Sequence, residues 1–228
     1  MRITLGPERG TPLWQAPLSG VTLEFIGGDL SQVAGIIGDR FFSRWPSKLR
    51  EIRAPLAFMV INLGKSPVKF SLSAHMSQEQ IVWDPYVFEQ IPPPEINPDV
   101  FKRDEAPIPI SDGYVDTLAK WYSVKYSYLD HNLIFIRPQL GISFQTHAQR
   151  GESWEIMAGS PIVVAGAHVA FNVKAGDHFD LPLGSVHGII NPNKGEWAAI
   201  KETWSGLFDE RDIVRVFNPN HFVDPKAK

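Results

Sequence analysis

Five residues in the second half of the sequence have side chains that could bind one metal ion together. They lie in two stretches, residues 141–159 and residues 176–191. The candidate ligands are Gln145, His147, Gln149, Glu152 and His187. Two imidazoles, one carboxylate and two amide oxygens form a nitrogen and oxygen donor set that divalent cations such as Zn, Mn, Fe and Ni accept. The sequence therefore predicts a site for one divalent metal ion.

The spacing of these residues on short β-strands would bring them to one interior. Side chains two positions apart on a strand share a face, so Gln145, His147 and Gln149 would point the same way. A turn after Gln149 would return Glu152 to that interior at the start of the next strand. His187 would arrive from a separate hairpin. Ligands that converge from several strands leave coordination positions open, as a catalytic metal site requires.

The overall composition is that of an ordinary globular protein. With 228 residues, of which 43% are hydrophobic and 21% charged, the chain can bury a sizeable core. A net charge of −3 provides no basic surface for nucleic acid. No cysteine is present for a disulfide, a zinc–thiolate site or a catalytic thiol. The N-terminus lacks the apolar core of a signal peptide, and no stretch is suited to span a membrane. We therefore expect a cytoplasmic protein with neither a nucleic-acid nor a membrane partner.

The first half of the chain is expected to contain a helix, a β-hairpin and a proline-rich segment. Apolar residues recur at roughly helical spacing over residues 29–52, and Asp29 could cap this helix. The β-rich runs 56–63 and 68–74 flank the sequence Gly-Lys-Ser-Pro, which predicts a hairpin. Seven prolines over residues 84–113 exclude a central strand or a helix interior there, and predict a long loop over the surface.

Residues 116–228 have the pattern of an all-β domain. Short strand-like runs alternate with turn residues, as in a barrel or sandwich of the jelly-roll kind. The predicted domains are an N-terminal extension over residues 1–115 and a β domain over residues 116–228. Barrels of this kind expose sheet edges. The proline-rich segment could cover such an edge in a homodimer, pack over the barrel mouth, or carry function; we expect a homodimer.

The two metal-binding stretches resemble the paired motifs of the cupin family. The second fits the pattern Gly-x5-Pro-x-Gly-x2-His-x3-Asn at every position, through Gly176, Pro182, Gly184, His187 and Asn191. The first has the family's Gly141, His147, Glu152 and Gly159, with a short loop between the ligands. The resemblance implies that this half is a double-stranded β-helix, the jelly-roll barrel of the cupins.

The short ligand loop resembles that of the cupin domain of type II phosphomannose isomerases. The signature of these domains is Gln-x-His-x-His-Arg-x-Glu-x-Trp. In this sequence, residues 145–154 are Gln-Thr-His-Ala-Gln-Arg-Gly-Glu-Ser-Trp. Gln149 therefore stands where the family has a second histidine. The segments 201–206 and 212–215 resemble the end of the same domain, so that the resemblance covers residues 118–217. It implies a metal-dependent aldose–ketose isomerase whose partner is a small sugar or sugar phosphate.

Three further residues are candidates for a catalytic role. Glu202 could move a proton between C1 and C2 of an open-chain sugar, and so could a metal-bound water. Lys201 or Arg215 could hold a distal phosphate or hydroxyl groups, since a guanidinium suits an oxyanion. A structural ion pair is the alternative role for Arg215 and the preferred interpretation for Arg150. Strand periodicity places Trp154 in the core.

Three functional hypotheses stay open on the sequence. The first is the sugar or sugar-phosphate isomerase. The second is a metal cupin of another chemistry, such as a dioxygenase, a decarboxylase or an epimerase. The third is a non-enzymatic sugar-binding cupin in which Gln149 marks a degraded site.

Overall fold

The computed structural model describes residues 1–207 and 209–220, which divide into two units. The first unit comprises Met1–Asp84 and the short segment Gly166–Ala170, and the second comprises Pro85–Ala165 and the chain from Phe171 onward. The predicted boundary at residue 115 does not coincide with this division, because the proline-rich segment groups with the second unit. Both units are built mainly from antiparallel strands, in agreement with the all-β prediction.

The first unit contains two antiparallel sheets. Its strands are β1 (Arg2–Leu5), β2 (Leu13–Gln15), β3 (Val21–Gly27), β4 (Val33–Ile37), β5 (Arg40–Phe42), β6 (Leu49–Ile52), β7 (Ala57–Asn62), β8 (Val68–Leu72), β9 (Ile81–Trp83) and β16 (His168–Ala170). Four strands pair in the order β1-β8-β3-β6, and six in the order β16-β5-β4-β7-β2-β9. Leu23 and Phe70 from the first sheet share one apolar core with Phe58 and Val60 from the second. The unit is thus a β-sandwich, with 3-10 turns at Leu30–Gln32 and Gln78–Gln80.

The helix predicted over residues 29–52 is wrong. Asp29 does cap a turn, accepting a hydrogen bond from the backbone of Ser31 over 2.9 Å, but the turn ends at Gln32. The chain then forms β4, β5 and β6. All five residues of β4 are buried, and a short apolar run of this kind fits a helix or a central strand equally well by periodicity. A side chain at Gly35 would collide with the Met59 carbonyl and the Trp45 ring, so the packing also requires glycine there.

The hairpin predicted for residues 56–74 is also wrong, although both of its strands are present. β7 pairs with β4 and β2, whereas β8 pairs with β3 and β1 in the other sheet. The linking residues therefore cross between sheets. The buried Asn62 side chain fixes this crossing, since its Nδ2 donates to the carbonyls of Gly6 and Ser66, each over 2.9 Å.

The second unit also contains two antiparallel sheets. Its strands are β10 (Asp116–Ala119), β11 (Ser123–Ser127), β12 (Asn132–Ile136), β13 (Phe144–His147), β14 (Arg150–Ala158), β15 (Ile162–Ala165), β17 (His178–Leu181), β18 (His187–Ile190), β19 (Ala198–Gly206) and β20 (Ile213–Phe217). Six strands pair in the order β10-β11-β12-β19-β14-β17, and four in the order β20-β13-β18-β15. A 3-10 turn, Glu210–Asp212, precedes β20.

The proline-rich segment is more ordered than the loop that its composition predicts. It contains an α-helical turn, Pro98–Val100, which continues as a π-helical turn, Phe101–Glu105. The Asn97 side chain caps this stretch by accepting hydrogen bonds from the two backbone N–H groups that follow Pro98. Apolar residues of the segment pack in one cluster with residues of β11 and β12: Ile96, Phe101, Ile110, Tyr126 and Phe135. None of the helices in residues 1–207 and 209–220 is long and apolar enough to cross a bilayer.

Candidate metal centre

Strands from both sheets of the second unit position the candidate ligands. His147 ends β13 and His187 begins β18, on neighbouring strands of one sheet. Glu152 lies on β14 in the other sheet. The turn between β13 and β14 is held by the buried carboxylate of Asp212, which accepts the backbone N–H groups of Ala148 over 3.1 Å and of Gln149 over 2.8 Å. The ligands therefore meet between the two sheets.

His147, Glu152 and His187 form a compact and buried cluster. His147 Nε2 lies 3.0 Å from Glu152 Oε1, and His187 Nε2 lies 3.5 Å from Glu152 Oε2. One potential ligand atom from each residue lies within 4.8 Å of the other two. The three side chains are at most 3% exposed. The structure brings these three predicted residues together.

The hydrogen bonding of His187 leaves one ring nitrogen available as a ligand. Its Nδ1 lies 3.0 Å from the carbonyl oxygen of Ser185, which can only accept, so Nδ1 carries the proton. Nε2 then presents a lone pair toward the Glu152 carboxylate. This buried nitrogen has no hydrogen-bond partner among the described residues. A cation between the two groups would satisfy both of them.

The Nε2 atom of His147 faces two competing partners, whereas its buried Nδ1 has no hydrogen-bond partner among the described residues. Its Nε2 lies 3.0 Å from Glu152 Oε1, an acceptor, and 3.2 Å from Arg150 Nη2, a donor. A single ring nitrogen can donate or accept but cannot do both. Two imidazoles and one carboxylate bind zinc in some enzymes, where the fourth coordination position holds water or substrate. The donor chemistry of the cluster therefore fits one divalent cation.

Burial and the charges within the cluster shift the pKa of two of the three candidate ligands. Burial by itself raises the pKa of Glu152, but a hydrogen bond from His147 and the charges of both histidines outweigh it and lower the pKa to about 2. Burial lowers the pKa of His187, although the nearby Glu152 carboxylate opposes that shift. An ionised carboxylate and a neutral imidazole are the forms that bind metals.

A second buried carboxyl group, Glu202, lies beside the cluster. The Nε1 of Trp154 lies 3.2 Å from Glu152 Oε2 and 3.2 Å from Glu202 Oε2. Asn132 Nδ2 donates to the other Glu202 oxygen over 2.7 Å. Burial, followed by the charge of Glu152, raises the pKa of Glu202 to about 8. Trp154 is fully buried, as the strand periodicity predicted.

A cavity beside the cluster is rich in cationic side chains. Arg150 and Glu202 line it, together with Gln145 of β13 and Arg215 of β20, which are in register with each other. Its charged lining residues are Lys120, Lys125, Arg150, Glu202 and Arg215. The cavity therefore has four positive groups and one carboxyl group. It is suited to an anionic small molecule.

Of the other residues that the sequence singled out, Gln149 and Lys201 lie away from the ligand cluster, whereas Gln145 is directly opposite His187 across β13 and β18. Gln149 lies beyond the end of β13, where strand alternation no longer applies, and its side chain is exposed. Gln145 lines the cavity, where its Oε1 accepts a hydrogen bond from Ser143 over 2.9 Å. Lys201 is opposite Leu133 and Glu155, so it faces away from the cavity that the adjacent Glu202 lines.

Sequence reasoning missed several residues of the site. Lys120 and Lys125 line the cavity, Asn132 binds Glu202, and Asp212 holds the ligand turn. Asn132 is directly opposite Glu202 across β12 and β19. That pairing depends on strand register, which a single sequence does not display. Asp212 lies in the segment 212–215, which resembles the end of the isomerase cupin domain. No spacing rule links this residue to the turn between β13 and β14.

Comparisons with known proteins agree with this description of the second unit. Residues 119–218 match the family model described as mannose-6-phosphate isomerase C-terminal. Mannose-1-phosphate guanylyltransferase ManC of Salmonella typhimurium is 30% identical over 82 residues, and its Escherichia coli counterpart is 29% identical over 82 residues. Each match covers 36% of this chain but only 17% of the relative.

Solved structures with low identity resemble a larger part of the chain. An oxalate decarboxylase from Bacillus subtilis is 13% identical, with a TM-score of 0.38, over 94% of this chain and 70% of that chain. Salicylate 1,2-dioxygenase from Pseudaminobacter salicylatoxidans is 11% identical, with a TM-score of 0.30, over 90% of this chain and 69% of that chain. The motifs, the ligand cluster and the family match all fall within residues 119–218. This part of the chain resembles the C-terminal domain of mannose-6-phosphate isomerases, in agreement with the resemblance that its motifs carry.

Proposed function

We propose that this protein is a metal-dependent aldose–ketose isomerase that acts on a sugar phosphate. The observation that carries the proposal is that a cationic cavity adjoins the His147, Glu152 and His187 cluster. Arg150 lines this cavity and also contacts two of the ligands. A sugar phosphate has matching features, since it carries an anionic group at one end and a carbonyl next to a hydroxyl at the other.

The residues of the cavity have separate roles in this proposal. Lys120, Lys125 and Arg215 would bind the phosphate through charge-assisted hydrogen bonds. Glu202 is the one carboxyl group among the described lining residues, so it is the candidate to move a proton between adjacent sugar carbons. Asn132 and Trp154 would hold the Glu202 carboxyl in place. A divalent cation bound by the cluster would supply a Lewis acid that stabilises the negative charge developing on the sugar oxygens.

Lys201, which was expected to hold a distal phosphate or hydroxyl groups, has no role in the proposal. It lies on the opposite face of β19. Because the two residues are adjacent in sequence and face opposite ways, they provide a matched pair for testing the proposal.

The test is an isomerisation assay with phosphorylated and unphosphorylated aldoses and ketoses. The full chain would be loaded with Zn²⁺ or Mn²⁺, and a parallel sample would be stripped with a chelator. We expect turnover that needs the metal and that falls by about 100-fold or more in Glu202→Gln, within the range for loss of general acid–base catalysis. Lys201→Gln should retain wild-type activity. Isomerisation at the full rate by metal-free protein would contradict the proposal.

Two other measurements separate the remaining hypotheses. Oxygen consumption by iron-loaded protein with an organic substrate would support another metal-cupin chemistry. The absence of stoichiometric metal from protein purified without chelators would support a non-enzymatic sugar-binding cupin. A cytoplasmic location and a homodimeric state remain part of the proposal as predictions from the sequence.

A further inference from the structure

The guanidinium of Arg150 joins the ligand cluster to the cavity. Its Nε donates to Glu152 Oε1 over 2.9 Å, and its Nη2 lies 3.2 Å from His147 Nε2. Its Nη1 donates to the carbonyl of Asp209 over 2.8 Å. The side chain is only 3% exposed, yet it lines the cavity with Arg215. One cationic group therefore contacts both the candidate metal site and the candidate substrate site.

This position makes Arg150 a competitor of any cation in the cluster. The guanidinium is always charged, and it lies against the same Glu152 and His147 atoms that would ligate a metal. Charges a few ångströms apart in a buried site repel strongly, because little water screens them. The charge of Arg150 therefore lowers the affinity of the cluster for a metal ion as long as the guanidinium faces the ligands.

An anion in the cavity would change this balance. Lys120, Lys125 and Arg215 would attract it to the lining that they share with Arg150. A tetrahedral oxyanion accepts hydrogen bonds readily from a guanidinium. Its charge would offset that of Arg150, or draw the guanidinium from the ligands toward the cavity. Either response relieves the repulsion on a cation in the cluster.

We propose that Arg150 couples the two sites, so that an anion bound in the cavity raises the affinity of the cluster for a divalent cation. Because coupling free energy is reciprocal, the cation raises the affinity for the anion by the same factor. The inference rests on the proposed function in that it needs both the metal site and the anionic cavity. It adds an ordered cooperation between metal and substrate that the isomerase proposal does not require.

The experiment is a calorimetric titration of Mn²⁺ into the full chain after removal of metal. One series contains sodium sulfate at saturating concentration, and the other contains sodium chloride at the same ionic strength. Sulfate resembles a phosphate ester in shape and charge but does not precipitate Mn²⁺. We expect the dissociation constant for Mn²⁺ to fall about fivefold or more in sulfate, the lower end of typical allosteric coupling. A sulfate titration with and without Mn²⁺ should give the same factor.

Two variants assign the coupling to Arg150. In Arg150→Gln the sulfate effect on Mn²⁺ affinity should be lost, and the affinity in chloride should rise. Arg215→Gln is the matched control, since it removes a cation of the same cavity that lies on β20 and not on a strand that carries a ligand. This variant should bind sulfate more weakly. At saturating sulfate, its dissociation constant for Mn²⁺ should still fall by the same factor as in wild type. Should Arg150→Gln fail to fold, Arg150→Lys replaces it, because the lysine ammonium cannot reproduce the forked contacts to Glu152 and His147 and should reduce the factor by half or more.

The outcomes distinguish this inference from the isomerase proposal. Equal Mn²⁺ affinity in sulfate and chloride would overturn the coupling and leave the isomerase proposal standing. An unchanged coupling factor in Arg150→Gln would show that the ions attract each other directly, which overturns the role of Arg150. Absence of Mn²⁺ binding under both conditions would overturn both proposals. Coupling without isomerase activity would support the inference alone.

Discussion

The carboxylate of Asp212 accepts the backbone N–H of Gln149 over 2.8 Å, and its other oxygen accepts the preceding N–H over 3.1 Å. These contacts join the start of the last strand to the turn between two metal ligands, His147 and Glu152. The exposed side chain of Gln149 stands where the resembling family has a histidine, but its backbone is part of the support of the site. The turn is therefore held by a residue outside both metal-binding motifs.

Replacing Asp212 by Asn should loosen this turn. The amide offers one oxygen in place of two, and its NH₂ group would face a backbone donor. We expect the free energy of unfolding to fall by about 1–3 kcal/mol and the dissociation constant for Mn²⁺ to rise by about 10-fold. Chemical denaturation and calorimetry would measure the two effects. Asp209→Asn, which removes an ion pair with the exposed Arg211, should change stability by less than about 1 kcal/mol. Equal effects of the two variants would argue against the role of Asp212.

Removing a ligand should abolish metal binding. We expect His187→Ala and Glu152→Gln to lose stoichiometric metal, because each leaves two protein ligands where three are needed. Elemental analysis of protein equilibrated with Mn²⁺ and then dialysed would measure the content. His178→Ala alters an exposed histidine on β17 and should retain the wild-type metal content. Retention of a full equivalent by either ligand variant would place the metal elsewhere.

The cationic rim of the cavity should determine the preference for phosphorylated sugars. Arg215→Gln is expected to raise KM for a sugar phosphate by about 10-fold, the loss of one hydrogen bond to a charged group, with little change in kcat. Arg211→Gln provides an exposed cation of the neighbouring turn as the comparison and should leave KM unchanged. The same assay with the unphosphorylated sugar should show no difference between wild type and Arg215→Gln. A loss of activity toward both sugars would indicate a structural role for Arg215.

The contact between Tyr126 and the proline-rich segment should make stability sensitive to alkaline pH. The Tyr126 hydroxyl donates to the Pro98 carbonyl over 2.6 Å, and burial, with smaller contributions from Tyr114 and Asp99, raises its pKa from 10.0 to about 12. The folded state therefore holds this proton more tightly than the unfolded state. Its contribution to stability is complete below pH 10 and is lost as the pH rises through about 12.

Tyr126→Phe tests this contribution. The variant should unfold more easily at neutral pH by about 1 kcal/mol, because one hydrogen bond is lost and the Pro98 carbonyl is left without this partner. Its free energy of unfolding should then decline less than that of wild type between pH 10 and pH 12. Urea denaturation at a series of pH values would measure both. If the free energy of unfolding fell equally with pH in both proteins, another group would be the cause of the loss of stability at alkaline pH.

Spacing along the sequence was sufficient to identify the three ligands that meet, but not their surroundings. His147 and Glu152 lie on two strands joined by one short turn, so their convergence follows from alternation and turn geometry, whereas His187 reaches them through the pairing of β18 with β13. Glu202 and Lys201 are adjacent, and only the pairing of β19 with β12 shows which of them faces the cavity. The helix predicted over residues 29–52 failed for a similar reason, since the apolar run that begins at Val33 is compatible with either a buried strand or a helix.

The sequence by itself determined the β character of the second half, the location of the metal-binding motifs and the exclusion of thiol chemistry. These properties depend on residue types and on spacings of a few positions. The tertiary structure decided which long-range neighbours complete the site: Asn132 beside Glu202, Asp212 beneath the ligand turn, and Arg150 between the ligands and the cavity. These contacts join residues that are up to 70 positions apart. They depend on strand order and register, which are set by how whole sheets pack and not by any local pattern.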